Sequence, residues 1–193
     1  MYVKTIDFQS PDAPKAFAES LVSTGFAVIA NHPLDPKLIF ETYEDWIQFF
    51  ASEDKFNYHF NKETQDGYFP ASVSETAKGH TIKDLKEFFQ IYPWGQYPAN
   101  VSDRSRELYA NMTTLAQTLL QWIEDHTPSE ISQRFSMPLS QMIAESDKTM
   151  LRILHYPPLQ GDEEEGAIRA AAHEDINLIT LLDRKSTRLN SSH

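Results

Sequence analysis

Three stretches of the chain repeat apolar residues at helical spacing. Phe17, Leu21 and Val22 follow Asp12, with Pro14 near the first turn and Gly25 as the stop, which predicts a helix ending at the glycine. Leu38, Ile39, Trp46, Phe49 and Phe50 form an apolar stripe behind Asp35-Pro36. Leu108, Met112, Leu115, Leu119, Trp122 and Ile123 line one side of a longer helix expected from about Arg104 to His126. Pro128 and Pro138 each open a further helical stretch. Between these lie short apolar runs that read as strands: Val3–Phe8, Glu87–Tyr92 and Thr149–Tyr156, the last two stopped by Pro93 and by Pro157-Pro158. Phe26–Ala30, following the glycine, reads as a buried strand. Residues 57–86 are polar and rich in turn formers, as in a long ordered loop with short strands, and loops of that length often carry function. After the acidic loop Gly161–Gly166, Ile168–Leu182 includes the strand-like run Leu178-Ile179-Thr180-Leu181-Leu182. Helices come first and strands gather later, the order of an α+β chain whose β-rich half is incomplete.

Composition narrows the possibilities. The chain has 193 residues, 40% of them hydrophobic and 12% aromatic, enough for a packed interior. Its net charge of −11 repels phosphate backbones and anionic membranes, so no nucleic-acid or membrane partner is expected. Cysteine is absent, which removes disulfides, thiolate metal sites and Cys nucleophiles. No apolar run approaches the ~20 residues of a membrane helix, and the start is no signal peptide, so a soluble, cytoplasmic protein is expected. Asp183–His193, DRKSTRLNSSH, stands apart as a basic, polar run without a preceding turn signal. Back-translated, it fits a widely used sequencing adapter in one frame, so a non-native tail is expected, with the natural chain continuing past Leu182. The expected organisation is an N-terminal region over 1–100, a helical segment with the first part of a β-rich domain over 101–182, and this tail over 183–193.

Most signatures of chemistry are missing: there is no Gly-rich dinucleotide or phosphate loop, no Gly-x-Ser-x-Gly elbow and no His-Glu-x-x-His helix. His173-Glu174-Asp175 remains. On a strand, His173 and Asp175 would point to one face and Glu174 away. A neutral imidazole and an anionic oxygen suit a borderline divalent metal, and a second histidine would complete the facial triad of non-haem Fe(II) oxygenases. Two other readings stay open at this point: a surface strand end with Asp175 capping a turn, or a helix through Ala170-Ala171-Ala172 that puts the two side chains on different faces. None of the other histidines (His32, His59, His80, His126, His155, His193) is obviously placed to complete a triad. On the expected strand Thr149–Tyr156, Arg152, Leu154 and Tyr156 share a face, and a Tyr hydroxyl there can hold a carboxylate or stand as an ordinary half-buried strand residue.

Together these segments resemble the isopenicillin N synthase-like group of 2-oxoglutarate/Fe(II)-dependent oxygenases. The resemblance runs through Asp7-Phe8, Thr24–His32, Asn61–Pro70, Lys86–Phe89 and Leu151–Pro158, and is most specific over Arg169–Leu182. It implies a double-stranded β-helix, or jelly-roll barrel, preceded by helices. It implies that His173 and Asp175 are two of three iron ligands and that Tyr156 contacts the oxoacid. The family's Asn in that Asn-x-Tyr-Pro motif is Leu154 here. Tyr68, Lys86 and Phe88 would line the substrate side of the barrel mouth. The implied activity is hydroxylation, desaturation or ring closure of a small molecule with Fe(II), O2 and 2-oxoglutarate, although isopenicillin N synthase itself needs no oxoacid. The second histidine and the later Arg-x-Ser have no counterpart before the tail, so the resemblance places them beyond Leu182 and implies that this stretch alone is inactive. The alternative is a metal-free jelly-roll used for binding or scaffolding.

Overall fold

Helix α1 (Ala13–Thr24) begins with Pro14 in its first turn and stops at Gly25, whose φ of +75° is left-handed and whose N–H donates to Leu21 O at 2.8 Å. Helix α2 (Pro36–Ala51) is capped by Asp35, whose carboxylate accepts from Lys37 N–H at 2.8 Å. Helix α3 (Arg104–Asp125) buries Leu108, Leu115, Leu119 and Leu120 and packs against both α1 and α2. These helix ends agree with the pattern of the sequence, but the apolar stripe expected on α1 does not hold at Val22, which is 91% exposed on the side away from Phe17 and the core. The computed structural model describes residues 3–73, 84–144, 146–159, 161, 168–170, 175 and 177–183.

Each of two sheets packs on its own core. Strand β1 (Thr5–Asp7) pairs in parallel with β2 (Val28–Ala30), and α1 crosses between them. Ile6, Ala13 and Phe17 meet Leu115 and Leu119 of α3 in the first core, where the Trp122 ring lies 5.0 Å from Phe8 and 5.9 Å from Phe17. The second sheet is antiparallel, β3 (Gly67–Phe69), β4 (Glu87–Ile91) and β5 (Leu151–His155), with β4 central. Trp46, Phe49 and Phe50 of α2 pack with Tyr68, Phe89 and Ile91 in the second core. There the Trp46 indole N–H donates to Ser105 Oγ at 2.5 Å, which satisfies a fully buried donor. After Pro128 comes one short turn, α4 (Ser129–Ser132), and after Pro138 a 3₁₀ turn, Leu139–Met142, tied to α3 by Leu139 N–H and the Glu124 carboxylate at 2.7 Å.

Two strand expectations are also corrected. Phe26–Ala30 is not a buried strand: Ala27 and Ile29 rest on the first core, but Phe26 is 69% and Val28 51% exposed on the other face of the extended chain. Leu178–Leu182 forms no strand. Ile179 and Leu181 rest on the first core while Leu178, Thr180 and Leu182 face outward. The alternation of an extended chain is kept, but no described strand supplies the hydrogen-bond ladder that would make it one. The architecture is thus α+β, helices with two small sheets, and no closed barrel occurs among the described residues.

Candidate functional site

Register divides the three-stranded sheet into two unlike faces. Phe69 pairs with Phe88, Phe88 with Leu154, and Gln90 with Arg152, so these side chains share the face turned away from α2. Phe88 is 1% exposed, between the Phe69 ring (4.6 Å, 13° between planes) and the Arg152 guanidinium, 4.7 Å from its centre. Phe60 continues the stack beyond Phe69 at 4.4 Å. The Gln90 amide, oriented to satisfy both partners, accepts from Arg152 Nη2 at 2.7 Å and donates to the Gln65 carbonyl. Lys86, just before β4, is buried and paired with buried Asp84 at 2.8 Å. Taking two charges out of water is tolerated only when they meet like this.

Tyr156 follows β5 immediately and is half-buried. The ladder ends at Glu87 opposite His155, and the same register carried one residue further sets Lys86 opposite Tyr156. Later residues return to this end of the sheet: Leu85 N–H donates to Ile168 O at 2.9 Å, and Arg169 Nη2 to Pro157 O at 3.3 Å. The chain therefore returns to this end of β4 and β5 at Ile168, five residues before His173 in sequence. His173 itself lies outside the described residues. Asp175 is exposed, and its Oδ2 accepts from the Thr180 hydroxyl at 2.8 Å, while Thr180 Oγ1 in turn accepts from Asn177 Nδ2 at 2.7 Å. Among the described residues no three His, Asp or Glu side chains gather as a metal-binding group.

Lys86, Phe88 and Tyr156 thus fall on one side of the sheet. Tyr68 does not join them. It is 2% exposed on the α2 face, and its hydroxyl donates to Glu87 Oε2 at 2.5 Å. Glu87 is the centre of a cluster that sequence reasoning missed. Lys55 Nζ reaches the same oxygen at 3.1 Å and the Phe50 carbonyl at 2.7 Å, and His155 Nδ1 lies 2.7 Å from Glu87 Oε1. Burial pushes the Glu87 carboxyl up, but the hydrogen bonds from His155, Tyr68 and Lys55 outweigh it and leave the carboxyl below its ordinary range. Burial, then the hydrogen bond and charge of Glu87, drive the Tyr68 phenol well above its ordinary range. The signal was present in Glu87-Phe88-Phe89-Gln90-Ile91: a carboxylate inside a run of large apolar residues must be paired if the strand is buried.

Residues 3–113, more than half of the chain, match the family described as non-haem dioxygenase in morphine synthesis N-terminal. Proline hydroxylase buaE of Petromyces alliaceus is 25% identical over 217 residues, covering 96% of this chain and 65% of that protein. The crystal structure of a Shewanella oneidensis protein described as an oxygenase superposes with a TM-score of 0.81 at 56% identity, covering 92% of this chain and 64% of that one. A Caulobacter crescentus protein described as of the 2OG-Fe(II) oxygenase family superposes with a TM-score of 0.64 at 26% identity, covering 91% of this chain and 61% of that one. The chain therefore spans between 61% and 65% of the length of these relatives. With β1, α1, β2, α2, β3 and β4 all inside the matched residues 3–113, the chain belongs to the non-haem 2-oxoglutarate/Fe(II)-dependent oxygenase family.

Proposed function

We propose that the protein carrying this chain is a non-haem Fe(II) oxygenase that oxidises a small molecule with O2, using 2-oxoglutarate as co-substrate. In this reading His173 and Asp175 supply two of three protein ligands to the iron. The donor chemistry fits: one imidazole and one exposed carboxylate oriented by Thr180, a set suited to a borderline divalent ion. The iron, when bound, supplies O2 activation coupled to oxidative decarboxylation of the oxoacid. The chain's own residues bind and orient. The Tyr156 hydroxyl donates to an oxoacid carboxylate, while Lys86 and Phe88 form the wall on the substrate side. Tyr68 supports that wall from behind. Residues 1–100 make the N-terminal region and 101–182 a helical segment with the first part of the jelly-roll, whose barrel the relatives' greater length would complete. Hydroxylation is the outcome that the name of the buaE relative supports.

The observation that carries this reading is the return of Ile168 and Arg169 to the ends of β4 and β5, beside Lys86 and Tyr156. The test uses the whole protein, residues 1–182 with the continuation found in its relatives. Anaerobic addition of Fe(II) and 2-oxoglutarate is expected to give a weak visible charge-transfer band and, with O2, succinate. His173→Ala should abolish both. Unchanged iron affinity in that variant would refute the ligand assignment. A wild type with neither band nor succinate would favour the metal-free jelly-roll instead.

A further inference from the structure

Resting on that reading, we infer that Glu87 is a positioning residue for the oxoacid site: from behind the sheet, its carboxylate fixes the end of β5 from which Tyr156 projects. The ladder between β4 and β5 stops at the Glu87–His155 pair. Beyond it come Tyr156, Pro157 and Pro158, and prolines have no N–H with which to extend a ladder. Backbone pairing therefore ends one residue short of the side chain whose placement matters. A side-chain clamp takes over there. Glu87 Oε1 holds His155 Nδ1 at 2.7 Å, and the His155 ring lies flat on Phe50 of α2, 5.1 Å between centres and 20° between planes. Glu87 Oε2 holds Tyr68 of β3 and Lys55 of the 3₁₀ turn Glu53–Tyr58. One carboxylate thus joins all three strands to the helical layer. Its neighbours in sequence and register, Lys86 and Tyr156, stand on the opposite face, so loosening the clamp moves the site without touching any group in it.

The test is made on the whole protein with two variants, His155→Asn and Glu87→Gln. The readouts are the melting temperature and the 2-oxoglutarate dissociation constant by calorimetry. His155 is one-third exposed, so its replacement cuts the β5 arm while leaving Glu87 paired with Tyr68 and Lys55. Each variant is expected to weaken 2-oxoglutarate binding at least fivefold, and the double variant no further than the worse single one, because both break the same clamp. A merely structural role would lower the melting temperature and leave the dissociation constant of the folded protein unchanged. A His155→Asn protein that binds within twofold of wild type overturns the inference, whether or not Glu87→Gln folds. A wild type that binds no 2-oxoglutarate overturns the oxoacid reading itself, a result distinct from equal binding in wild type and variants.

Discussion

Removing a single oxygen, by Tyr68→Phe, tests the energetics of the cluster behind the sheet without opening a cavity. The ring stays, 6.3 Å from Phe50 and 5.9 Å from Phe56. What is lost is one hydrogen bond to an ionised acceptor, from a side chain 2% exposed. Such bonds contribute about 1.5–3 kcal/mol. Glu87 keeps Lys55 at 3.1 Å and His155 at 2.7 Å, and the phenol's own desolvation cost disappears. The expected loss is therefore nearer the lower end, about 1–2 kcal/mol. Urea unfolding should show a lower midpoint with an unchanged slope. The pH dependence sharpens the test. The folded Glu87 carboxyl lies below its ordinary range, so its contribution is present above the unfolded value and is lost as pH falls through the folded value. Tyr68 is one of the groups holding it down. The gap between wild type and variant should thus be widest at neutral pH and narrow on acidification. A variant as stable as wild type, or a gap independent of pH, would refute the assignment of Glu87 as an ionised hub.

Two further substitutions test the scaffold. Gly67→Ala should lower the melting temperature, because Gly67 has a φ of +101° and an added Cβ would stand 2.7 Å from the Tyr58 carbonyl, a backbone atom that cannot swing aside. The conformational conflict alone costs more than ~1 kcal/mol, and a variant melting like wild type would show that β3 re-forms differently. Phe89→Ala removes a ring with no exposure, 5.0 Å from Trp46 and 5.6 Å from Phe49, and should cost about 3–5 kcal/mol in chemical denaturation.

The sequence alone determined the elements whose causes are local. Asp35 and Pro36 start α2, Gly25 ends α1, and Pro93 and Pro157 stop strands through their own backbone preferences, so these ends are legible one residue at a time. The alternation that sets His155 and Tyr156 on opposite faces of β5 was legible for the same reason. Which face meets α2 was decided by tertiary structure. Tyr68 was a candidate for the substrate side, yet the pairing Tyr68–Phe89 turns it into the core. Glu87 and His155 are 68 positions apart in sequence, and no local periodicity announces that they meet. Leu178–Leu182 has the composition of a strand, but a strand exists only where another chain segment offers its carbonyls and N–H groups. Local sterics and solvation act within a few residues and can be read along the chain, whereas pairing and burial are properties of surfaces that exist only once distant segments have come together.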